Sequence, residues 1–93
     1  MIAKKLRALP DFHSSASLYS LDIPYPPSNY RPDMAPIDYV VACAPAAIGL
    51  GGDDSVILLP ATETGEIRNC NDLPGSWVES AEEAFRRHGY VTE

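Results

Sequence analysis

The rhythm of apolar and polar positions changes several times along this chain, and each change marks a candidate element. Ile37 to Cys43 (Ile-Asp-Tyr-Val-Val-Ala-Cys) is β-branched, aromatic and almost continuously apolar, the pattern of a central strand covered on at least one face. Ser55 to Ala61 reads as a second strand, with Pro60 near its end as an edge position or bulge requires. From Ser14 to Ile23, Tyr19, Leu21 and Ile23 alternate with Leu18, Ser20 and Asp22, predicting a strand with one better-buried face. Near the start, Ile2, Leu6 and Leu9 stand at helical spacing among Lys4, Lys5 and Arg7. That suits a turn or two of helix or an extended segment, ended by Pro10 in either case.

A helix is predicted toward the C-terminus. Ser76 and Ser80 each have a glutamate three residues on, Glu79 and Glu83, so two successive capping boxes offer a start. Trp77, Ala81, Ala84, Phe85 and His88 share one face, acids lead and Arg86 and Arg87 trail, and Gly89 is placed to end the helix. Tyr90 and Val91 are expected to fold back on its last turn. Thr62-Glu63-Thr64-Gly65 has turn chemistry, which makes Glu66 to Cys70 the returning strand of a hairpin. Residues 24–37 carry closely spaced prolines and read as a long loop, pinned by Tyr25 and Tyr30, that no sheet can include centrally. The expected fold is α+β: a small antiparallel sheet of three to four strands with the C-terminal helix packed on one face.

Length and composition add bounds. Ninety-three residues supply apolar material for one core, so the expected organisation is a single domain over residues 1–93. No apolar run approaches the ~20 residues of a membrane span, and Met1 to Arg7 lacks the apolar stretch of a secretory signal. A cytoplasmic protein that does not bind membranes is expected. Cys43 and Cys70 are then expected to be reduced thiols. With His13 and His88 they have no zinc-finger spacing, so neither a metal nor another cofactor is expected.

The formal charge is −6 and unevenly placed. Asp11, Asp22, Asp33 and Asp38 cancel Lys4, Lys5, Arg7 and Arg31, so residues 49–93 hold the whole excess. Direct nucleic-acid binding is disfavoured, because phosphate contacts need a basic face. An acidic face can instead meet a basic protein surface. Asp53, Asp54, Glu63, Glu66, Glu79, Glu82 and Glu83 are the candidate partner-binding residues.

No catalytic signature emerges, and the protein is expected not to be an enzyme. The glycine-rich Ile48 to Asp54 loop lacks a lysine, runs into two aspartates and precedes a strand, unlike a phosphate-binding loop. Cys43 with His88 would make a thiol and base, but Cys43 lies in the most apolar strand, where a thiol packs as a small hydrophobe. His13 and Ser14 are adjacent, and on a strand would point to opposite faces.

Tyr39-Val-Val-Ala-Cys43, Ser55 to Ile67 with its Pro60-Ala-Thr-Glu-Thr-Gly-Glu-Ile67 run, Leu73-Pro-Gly-Ser76 and Ala84 to Tyr90 follow a characteristic order. That order resembles a group of small proteins encoded by bacteriophages and actinobacterial mobile elements, over roughly residues 37–91. The chain departs from it at Leu59, where phenylalanine is common, and at Asn69 to Asp72, where a tryptophan and an acid are common. The resemblance implies a setting, an accessory protein in a bacterial cytoplasm, and no activity. In that setting the expected function is an acidic, non-enzymatic inhibitor, in its sharpest form an anti-CRISPR or anti-restriction protein occupying a basic surface of a host protein. The alternative is a structural, self-assembling protein in which copies pair through a sheet edge.

Overall fold

The computed structural model describes residues 1–25, 37–49, 55–68 and 78–93. Strand β1 (Ile2–Ala8) pairs antiparallel with β2 (Ser17–Tyr25), β2 with β3 (Ile37–Cys43), and β3 with β4 (Ile57–Ala61). The helix α1 (Ala81–Arg87) then returns the chain to the far edge, where β5 (Val91–Thr92) lies parallel to β1. The sheet order is β4-β3-β2-β1-β5. The fold is therefore α+β, with a mixed five-stranded sheet in place of the expected antiparallel three or four. Among the described residues no helix is long and apolar enough to cross a membrane.

Of the two extra strands, β1 comes from a segment left open between helix and extended chain, and β5 from one expected to fold back on the helix. β1 is extended because its backbone pairs with β2 through Ala3↔Leu21 and Lys5↔Tyr19. The helically spaced Ile2 and Leu6 build no core and stay 38% and 45% exposed, while Ala3 is fully buried. Pairing has overridden local spacing. Val91, expected to fold back on the helix, instead donates its N–H to the Met1 carbonyl at 2.8 Å, and Glu93 donates to Ala3 at 2.9 Å. The expected returning strand from Glu66 is reduced to an isolated bridge, Ala61↔Ile67, and residues 69–70 lie outside the described part. Most of the proline-rich loop is likewise outside, but its first residues are not loop. Pro24 and Tyr25 belong to β2, inside an irregular stretch of pairing between Ser20 and Tyr25 that accommodates a residue without an N–H.

β3 is apolar from Tyr39 to Cys43 because the sheet is covered on both sides there. Val40 and Ala42 join Tyr19, Leu21 and Leu58 beneath Ala84, Phe85 and Tyr90. Val41 and Cys43 join Leu18, Ile57 and Leu59 on the opposite side, with Leu9, Ala47, Ile48 and Ile67 above them. There the cover is made by the 9–16 turn, a 3₁₀ turn at Pro45–Ile48 and the 62–67 hairpin. Pro60 sits on the edge strand, where its carbonyl accepts from Arg68 and a missing N–H breaks no bond to β3.

α1 starts at the second of the two capping serines. The Ser80 side chain accepts the Glu83 N–H at 3.2 Å, and Gly89 takes a left-handed φ of 84° just beyond the His88 cap. Ser76 and Trp77 lie outside the described residues. The Ser80→Ala variant is expected to lose about 1 kcal/mol, the usual worth of an N-cap, measured by urea denaturation with unchanged m-value.

Candidate functional site

The residues nominated for an acidic binding face divide into groups. Glu79, Glu82 and Glu83 come together at the leading end of α1, on the side of the sheet that the helix covers. Val78, just before them, bridges to Val56 on the β4 side and is buried against the helix-side core. Glu79 and Glu83 line an open polar cleft of about 360 Å³ with Ser55 and Arg87. Arg87 approaches Glu83 at 3.7 Å one turn on, an exposed pair worth little by itself. Glu82 is exposed, and its charge adds to burial in raising the Tyr19 hydroxyl above its ordinary acidity range.

Glu63 and Glu66 are also exposed but belong to the hairpin on the other side. Its turn is closed by Thr62, whose hydroxyl accepts the Glu66 N–H at 3.1 Å and whose carbonyl accepts from Gly65 at 2.9 Å. The sheet thus separates this carboxylate pair from the helical three. Asp53 and Asp54 lie outside the described residues.

The nucleophile and base candidates are divided by the same sheet. Cys43 is buried in the cluster under the hairpin, and burial pushes its thiol up to about 11. His88 caps the helix on the opposite side, with its ring edge-on to Tyr25 at 5.1 Å. A neutral buried thiol remote from a base is packing material. His13 does meet a serine, though not the one adjacent to it. Residues 13–15 form a turn rather than a strand, and His13 Nδ1 lies 2.7 Å from Ser15 Oγ and accepts the Ser15 N–H at 3.1 Å. Ser15 Oγ also accepts the Ala44 N–H at 2.9 Å, so the cluster fastens the turn to the end of β3.

Burial likewise raises the Tyr90 hydroxyl to about 12, with smaller contributions from Asp22 and Tyr25, while it donates to the Ile23 carbonyl at 2.6 Å. Cys43 and Tyr90 both hold protons in the folded state that the unfolded chain releases at lower pH, near 9 for a thiol and 10 for a phenol. Above pH 9 the unfolded state binds fewer protons, so folding stability is expected to fall as pH rises toward 11. Urea midpoints measured across that range check the sign.

Comparison with protein-family models, curated proteins and solved structures returned no match for this chain. Function must therefore be argued from its own surfaces. Among the described residues no cluster of histidine, cysteine or carboxylate side chains is arranged to hold a metal.

One grouping escaped the sequence reading. Arg7, Asp11 and Phe12, from the end of β1 and the turn after it, meet Thr64 and Gly65 of the hairpin around a cleft of about 330 Å³. Arg7 Nη2 donates to the Thr64 carbonyl at 2.7 Å across 57 positions of sequence. No local spacing signals such a meeting.

Proposed function

We propose that the protein acts by binding, with the Glu79, Glu82 and Glu83 surface of α1 docking on a basic surface of a protein partner. The observation behind this is the convergence of these carboxylates around the exposed leading end of one short helix, balanced locally by Arg87. Charge of this kind steers association and selects against acidic partners more than it adds raw affinity. The separation of Cys43 from His88 by the sheet supports binding over thiol chemistry. In the bacterial cytoplasm suggested by the phage-like order of motifs, such a protein would serve as an anti-defence inhibitor, keeping a host nucleic-acid groove occupied. Glu63 and Glu66 would reach the same partner only if it wrapped around the sheet edge.

Affinity capture from a bacterial lysate, repeated with the Glu79→Lys, Glu82→Lys, Glu83→Lys triple variant, tests this. The native chain is expected to retain a basic protein, and the folded triple variant to bind it at least ~100-fold more weakly, more so at low salt. Retention that survives both charge reversal and high salt would remove the electrostatic basis.

Self-assembly through a sheet edge has less support. At the β4 edge Val56 is engaged by Val78 and Pro60 by Arg68, while the opposite edge is β5, only two residues long. These are the devices by which sheets discourage a further strand.

A further inference from the structure

We infer that the cleft between the β1–β2 turn and the hairpin tip is a binding site for a small zwitterion with an apolar body, of the class of the larger apolar α-amino acids. Its walls come from the turn after β1, with Leu9, Asp11 and Phe12, and from Thr64 and Gly65 of the hairpin. At about 330 Å³ it falls at the small end of ligand clefts, which span about 300–1,000 Å³.

Three features define the ligand. The Arg7 guanidinium is held in place by one N–H on the Thr64 carbonyl, leaving further donors of its fork for a carboxylate. Asp11 lines the same cleft, yet among the described residues neither charge has a salt-bridge partner, and the two are not within 4.0 Å of each other. Opposite charges that share a cleft without neutralising one another match a ligand carrying both an ammonium and a carboxylate. A simple anion would meet repulsion from Asp11, and a simple cation repulsion from Arg7. The third feature is apolar: Leu9 is held against the hairpin, and Phe12 remains 40% exposed beside the charges. A large aliphatic or aromatic side chain would cover that ring and remove it from water.

The hairpin tip is set at contact distance to close this wall. Gly65 has a φ of 93°, and a β-carbon there would stand 3.2 Å from Leu9 Cδ2, closer than ordinary packing allows. Glycine is thus what lets the backbone that holds Arg7 approach the apolar floor.

The site stands independently of the helical acidic surface and is tested separately. Amide chemical shifts of the 93-residue chain are followed while L-phenylalanine is added, with 3-phenylpropionate and phenethylamine as probes bearing only one of the two charges. Saturable shifts are expected at Asp11, Phe12, Thr64 and Gly65, with a Kd of roughly 0.1–1 mM for L-phenylalanine and about tenfold weaker binding of each singly charged probe. Asp11→Asn, an exposed and nearly isosteric change, is expected to bring L-phenylalanine down to the affinity of 3-phenylpropionate. Arg7→Gln is expected to bring it down to that of phenethylamine. The Glu79, Glu82 and Glu83 charge-reversal variant should bind L-phenylalanine unchanged. The inference is overturned if no saturable shift appears at these amides by ~20 mM, well above the expected Kd. It is equally overturned if a singly charged probe binds as tightly as the zwitterion, or if folded Asp11→Asn binds like the native chain.

Discussion

Replacing Phe85 with alanine is expected to destabilise the protein by about 3–5 kcal/mol, a large share of the ~5–15 kcal/mol that holds a domain of this kind together. Phe85 is 1% exposed, and its ring lies 4.7 Å from that of Tyr19 and 6.5 Å from that of Tyr90. α1 has seven residues, fewer than the ~12–15 an isolated helix needs, so packing and not propensity keeps it formed. Its loss also loosens Tyr90, whose N–H is held by the Phe85 carbonyl and which leads directly into β5. Urea denaturation followed by circular dichroism reads the effect as a lower midpoint. A loss under ~1 kcal/mol, below the range for emptying a filled core site, would mean that the helix is not held by this contact.

The second large effect is expected on the other side of the sheet. Leu18→Ala should cost about 2–5 kcal/mol, because this fully buried side chain lies among Val41, Ile57 and Leu59. What differs is the segment that responds. Leu18 lies beneath Gly65, so shortening it removes support from the hairpin tip and leaves α1 in place. Hydrogen exchange separates the cases: Leu18→Ala should speed exchange most at Gly65 and Glu66, and Phe85→Ala most at Ala84 and Tyr90. Equal acceleration everywhere would mean that both substitutions act only through global unfolding.

These residues also show what the sequence made legible. β3 could be read because both its faces are buried over Val40 to Cys43, leaving an apolar run broken only by Asp38, and α1 because serine, glutamate and glycine mark its ends chemically. β1 was ambiguous because its side chains bury little: Ala3 alone is buried, and the remaining positions are exposed. β5 was invisible, since two residues carry no period and its existence depends on the Met1 and Ala3 carbonyls being in reach. Clustering of acids in sequence was equally blind to the sheet that divides Glu63 and Glu66 from Glu79, Glu82 and Glu83. The Arg7 cleft joins residues 57 apart, and neither strand signals the other.

The parallel pairing of β5 with β1 has a consequence for the order of events when the protein is made. Lys5 donates its N–H to the Glu93 carbonyl, and Met1 and Ala3 accept from Val91 and Glu93, so the outer side of β1 is completed by residues synthesised well after it. Until then a nascent β1–β4 meander would display one open margin, and the Phe85 side of its core would wait for the helix. Such long-range closure slows folding and lengthens exposure to unwanted strand pairing. Lys4, Lys5 and Arg7 lie along that waiting margin, where positive charge on a still-unfinished strand keeps neighbouring nascent chains apart.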